Sequence, residues 1–101
     1  MTKDYKTIIK DIIHHITTKC SFSDISDFYV GITNDPDNRL FDEHNVDKRL
    51  GCWTYSEAIN EQHAREAERL LIDQGMEGGS GGGDDSSTFV YCYKITSETQ
   101  E

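Results

Sequence analysis

Tyr29 and Arg39 lie ten residues apart on the stretch Phe28-Tyr29-Val30-Gly31-Ile32-Thr33-Asn34-Asp35-Pro36-Asp37-Asn38-Arg39-Leu40. An apolar strand ending on a glycine, a polar turn and a helix opened by proline would carry both side chains to the same end of a sheet. A phenol and a permanently charged guanidinium gathered there would form a polar site. Two other groups of residues could bear chemistry. The segment Glu77-Gly78-Gly79-Ser80-Gly81-Gly82-Gly83-Asp84-Asp85-Ser86-Ser87 reads by composition as a flexible connection. A glycine-rich loop can also cradle phosphate through backbone N–H groups. This one lacks the Lys-Ser/Thr of a P-loop and carries Asp84 and Asp85, which could approach a cation. Cys20, Cys52 and Cys92, taken with His14, His15, His44 and His63, offer no ligand pair at metal-site spacing except the adjacent histidines. The cysteines therefore read as buried or incidental thiols of a reducing compartment.

Length and charge bound the function. A chain of 101 residues makes one domain with one core. Ten basic against 19 acidic residues leave a net charge of −9, which opposes non-specific binding to phosphate backbones. A nucleic-acid role then requires a local basic patch or a bound cation. No window approaches the roughly 20 apolar residues of a membrane span. Met1-Thr2-Lys3-Asp4-Tyr5 has no signal-peptide character. The expectation is a cytoplasmic protein with no membrane partner.

Positioning falls to five elements. Tyr5, Ile8, Ile9, Ile12, Ile13 and Ile16 form a helical stripe over residues 3–18, flanked by His14 and His15. That stripe suits core packing or, as an alternative, a partner or dimer face. Phe28, Val30 and Ile32 alternate with Tyr29, Gly31 and Thr33, so residues 27–33 read as a strand. Gly31 marks a bulge or a close approach on the Tyr29 face. Asp35-Pro36 starts a short helix to about Glu43, and 44–53 is a loop or broken helix. Thr54-Tyr55-Ser56-Glu57 matches a capping box, which predicts that the longest helix opens there and ends at Gly75. Residues 88–95 alternate aromatic and β-branched side chains and read as a second strand. Helices and strands in this order make an α+β protein.

The pattern resembles the GIY-YIG nuclease superfamily over about residues 27–73. Tyr29-Val30-Gly31 stands in the place of the family's Tyr-Ile-Gly strand. Ile32-Thr33-Asn34-Asp35, then Arg39-Leu40 and His44-Asn45, follow it. Ala67-Glu68-Arg69-Leu70-Leu71-Ile72 looks like the helix that carries the family's metal-binding Glu. The family's preceding Gly-Ile-Tyr strand is missing from residues 17–27. Tyr93-Lys94-Ile95-Thr96 reads like its end, as in a circular permutation. The permutation requires residues 88–95 to pair with residues 28–33.

The resemblance implies a small antiparallel sheet packed against three helices in a single domain, 1–101. Within it lie an amphipathic helix (1–19), a GIY-YIG-like core (27–96) and the glycine-rich loop (77–87). It also implies metal-assisted phosphodiester hydrolysis. Glu68 would hold Mg²⁺ or another divalent cation, with waters completing the shell. Arg39 would bind the scissile phosphate, Tyr29 and Tyr93 would handle the attacking water, and His44 is an acid–base candidate. The alternatives are a non-catalytic scaffold that binds a protein or a phosphorylated small ligand, or an acidic inhibitor that mimics DNA charge.

Overall fold

The computed structural model describes residues 2–20, 24–49, 51–78 and 87–99. The body of the glycine-rich segment, with Asp84 and Asp85, lies outside the described residues.

The first helix, α1 (Tyr5–Thr18), is capped by Asp4, which accepts a hydrogen bond of 2.8 Å from the Thr7 N–H. Ile8, Ile12 and Ile16 are at most 1% exposed. This part of the isoleucine stripe is covered by the chain's own core, with Tyr5, Ile9 and Ile13 partly buried beside it. Strand β1 (Phe28–Thr33) follows a short 3₁₀ turn. The Asp35 carboxylate then accepts from the Asn38 N–H, as a cap should, and a wide π-helical turn spans Asn38–Glu43.

Thr54-Tyr55-Ser56-Glu57 does not open a helix. It belongs to strand β2 (Trp53–Glu57). The segment carries two competing signals: the Thr-x-x-Glu capping pattern and an alternation of aromatic with small polar residues. Alternation prevails because a neighbouring strand supplies a full hydrogen-bonding ladder. The helix start lies farther on, at Asn60, whose side chain accepts from the His63 N–H at 3.0 Å and opens α2 (Glu61–Asp73). Gly75, with a positive φ of 121°, ends the helical run as expected.

Strand β3 (Phe89–Lys94) lies between β1 and β2 and is antiparallel to both. Tyr29 faces Tyr93, Gly31 faces Tyr91, and Trp53 and Tyr55 face the same two tyrosines from the other side. The pairing of residues 28–33 with the C-terminal strand is the one the permutation requires. Both outer edges are partly closed. Glu77 bridges β1, with Val30 N–H to Glu77 C=O at 2.9 Å and Glu77 N–H to Phe28 C=O at 2.9 Å. Lys3 bridges Ala58 beyond the end of β2. Such closure protects unpaired strand edges.

The sheet has two unlike faces. Phe28, Val30, Ile32, Val90 and Cys92 pack under α1 and α2, against Ile8, Ile12, Ile16, Ala64, Ala67 and Leu71. The opposite face carries Tyr91 and Tyr93, covered by Leu40 and Val46, with Tyr29, Phe41 and Trp53 at the margin. The cysteines depart from the free-thiol expectation. Cys20 and Cys52, 32 residues apart, form a disulfide with a Cα–Cα distance of 5.8 Å. It ties the chain just after α1 to the start of β2. Sequence spacing held no hint of this pair, because packing alone brings the two segments together. Cys92 is the free thiol, and complete burial pushes its pKa up to about 12.

Gly31 is required by close approach. A Cβ there would lie 2.5 Å from Tyr91 Oη and 2.6 Å from its Cζ, and the Tyr91 ring is buried and cannot swing away. Gly31→Ala should lower unfolding free energy by roughly 1–3 kcal/mol, read as a lower urea midpoint. The same change in a Tyr91→Ala background should cost much less.

Candidate active site

The aromatic face gathers the chemistry. Two-residue periodicity sends Tyr29 and Gly31 of β1, and Tyr91 and Tyr93 of β3, to the side opposite the helices. Tyr29 stacks on Tyr93 with ring centroids 5.3 Å apart. The π-helical turn supplies the lid over them. Its wide bond, His44 N–H to Arg39 C=O at 2.8 Å, is followed by Val46 N–H to Leu40 C=O at 2.9 Å. This spacing turns both Leu40 and His44 onto the sheet, a use to which π-turns are often put. Asn45 then takes a φ of 57° and reverses the chain. Its amide donates to the Glu98 carbonyl at 2.9 Å.

His44 sits at the centre and is 6% exposed. Its Nε2 lies 2.8 Å from Tyr91 Oη and its Nδ1 lies 3.0 Å from Tyr93 Oη. Its ring packs 5.0 Å from that of Tyr29. A neutral imidazole has one N–H, so one tyrosine donates to the ring and the other accepts from it. Burial raises the Tyr91 pKa, and the nearby Tyr29 phenol adds to the shift while Arg39 opposes it. Tyr91 therefore stays a neutral phenol.

Arg39 borders this cluster and lines a cleft of about 180 Å³ with Thr33, Asn34, Asn38, Glu43 and Ser87. Its Nη1 donates to Glu43 Oε1 at 2.8 Å. That bond, more than the neighbouring Tyr91 and Tyr29, raises the guanidinium pKa further. Arg65 pairs with Glu61, and Arg69 with Glu66 and Asp73, each on its own helix. Lys48 lies over the Phe41 ring at 5.1 Å.

Glu68 enters from α2, on the buried stripe of Ala64, Ala67 and Leu71, and is 4% exposed. Among the described residues no hydrogen bond to its carboxylate is found. Burial pushes its pKa up to about 7, with only Arg65 pulling the other way. Its charge is felt at Tyr91. A carboxylate held in this condition suits a hard divalent cation, which would supply the missing counter-charge and keep most of its water.

Of the five residues singled out from the sequence, Tyr29, His44 and Tyr93 pack together, while Arg39 and Glu68 each act on Tyr91 through their charge. Tyr91 itself was missed. The signal for it was present, since alternation puts residues 91 and 93 on one face and Gly31 opposite leaves room for a large ring. No protein-family model, no curated protein sequence and no solved structure matches this chain. The chemistry of the site therefore rests on its own geometry.

The Glu68 shift sets a pH dependence. The folded state holds the proton more tightly than the unfolded chain. Between the ordinary glutamate value and about 7 it therefore binds more protons, and stability falls as pH rises through that window. The penalty on the ionised form is on the order of 3 kcal/mol. Glu68→Gln should therefore be more stable than wild type near neutral pH and above, with the gap closing as pH falls toward the ordinary carboxylate range. Urea unfolding across that pH range measures the gap. A gap that stays constant with pH would contradict the burial of the ionised group.

Proposed function

We propose that this chain is a circularly permuted GIY-YIG-like domain that hydrolyses phosphodiester bonds of nucleic acid with a divalent cation. The observation that carries this reading is the packing of Tyr29, His44, Tyr91 and Tyr93 together on one face of the sheet, with Arg39 and Glu68 in electrostatic reach of Tyr91. The antiparallel pairing of β1 with the C-terminal strand supports the permuted arrangement.

In this reading the cleft beside Arg39 receives the scissile phosphate. The guanidinium matches two phosphate oxygens once it exchanges its bond to Glu43 for the substrate. Tyr29 is the phenol of the three that is not fully buried, and it orients the attacking water. His44, bonded on both ring nitrogens, fixes Tyr91 and Tyr93 around Tyr29. Glu68 is the residue that would hold the cation. When bound, the cation supplies charge neutralisation at the phosphoryl and leaving oxygens.

The net charge of −9 and the local pairing of Arg39, Arg65 and Arg69 favour one competing reading, a non-catalytic acidic scaffold or inhibitor that binds a protein. A cleavage assay with Mg²⁺ or Mn²⁺ on single- and double-stranded DNA and RNA separates the two. Cleavage by wild type should drop at least about 100-fold in both Arg39→Ala and Glu68→Ala, with circular dichroism unchanged. No cleavage of any substrate by a folded wild type would remove the enzyme reading and leave the scaffold.

A further inference from the structure

His15, Cys20 and Cys52 form a second group of chemically active side chains, on the helical side of the molecule and apart from the tyrosine cluster. One ligand atom from each lies within 4.8 Å of the others. His15 comes from the last turn of α1, Cys20 from just beyond its end, and Cys52 from the residue before β2. The His15 ring also hydrogen-bonds the backbone of Trp53. Metal-ligating histidines habitually make this kind of bond, because it fixes the ring and leaves the other nitrogen free to bind. A cleft of about 300 Å³ opens on His15, lined also by Asp11, His14, Lys19 and Tyr55, so solvent reaches the His15 side of the group.

We propose that these three residues are a redox-gated site for a thiophilic divalent cation, zinc being the best match. In the oxidised form the two sulfurs are bonded to each other and unavailable as thiolates. A cellular thiol reductant donates two electrons, the S–S bond breaks, and two protons complete the two thiols. The cation then displaces those two protons and is bound by two thiolates and the His15 imidazole, with water from the cleft in the fourth position.

The geometry accommodates both states. A tetrahedral zinc with Zn–S bonds of about 2.3 Å holds its sulfurs about 3.8 Å apart. The Cα–Cα distance of 5.8 Å between Cys20 and Cys52 leaves that separation within reach of side-chain rotation alone. Two soft sulfurs and an imidazole select zinc over magnesium, which takes oxygen ligands. The site is therefore chemically distinct from the one at Glu68, and it does not depend on the phosphodiesterase reading.

The experiment titrates the full chain with Co²⁺ and then Zn²⁺, once as oxidised and once after reduction with a phosphine, which is not itself a thiol. The reduced protein should bind cobalt stoichiometrically, with thiolate-to-cobalt charge-transfer absorption that zinc abolishes. The oxidised protein should show none. Cys20→Ser and Cys52→Ser should each lose the absorption, Cys92→Ser should keep it, and His15→Gln should weaken binding roughly 10- to 100-fold. Equal binding by oxidised and reduced protein, or absorption retained in Cys20→Ser and Cys52→Ser, would overturn the proposal. If the serine variants fail to fold, the contrast between oxidised and reduced wild type decides alone.

Discussion

The contact between Gly31 and the Tyr91 ring is the constraint on which the site depends. Tyr91 can lie flat across β1 only because nothing projects from Gly31, where a methyl group would sit 2.5 Å from the phenol oxygen. That placement sets the phenol 2.8 Å from His44. His44 in turn spans to Tyr93 and packs against Tyr29. The π-helical turn exists to deliver His44 and Leu40 to this surface. One missing side chain thus lets four rings share a volume that a regular strand would have filled.

The two faces of the sheet handle polarity differently. Beneath the helices the packing is apolar, and close-packed small residues of α2 sit on β1. On the other face, burial falls on phenols and an imidazole, groups that hydrogen-bond one another. Glu68 breaks this economy. It stands on a stripe otherwise apolar, with its pKa raised by burial, and it makes the fold less stable when ionised. A local loss of stability of this kind is characteristic of groups retained for function. The arginines behave oppositely. Arg39, Arg65 and Arg69 are each matched by an acid on the same helical segment.

A three-stranded sheet needs its covers, and here they are tied on. Glu77 and Lys3 partly close the outer edges, and the Cys20–Cys52 bond holds the end of α1 against the start of β2. Cys52 also accepts from the Lys94 N–H at 2.8 Å, and Trp53 beside it packs edge-on to Phe41 at 4.9 Å. The covalent tie therefore reaches, through two residues, the lid that carries Arg39 and His44.

Much of this was legible in the amino-acid sequence. The isoleucine spacing of α1, the alternation of β1 and β3, the Asp35 cap and the Gly75 terminus are properties of near neighbours, settled by local hydrogen bonds and periodicity. Tyr29 and Arg39 stood out by type and spacing, and His44, Glu68 and Tyr93 through the resemblance to the GIY-YIG pattern. Tertiary structure decided the rest. Residues 54–57 carry both a capping pattern and a strand pattern, and only the presence of β3 alongside makes the strand the better solution. Tyr91 and His44 are 47 residues apart, and Cys20 and Cys52 are 32 apart. No local rule selects such partners, because their encounter depends on how the helices and the lid close on the two faces of the sheet.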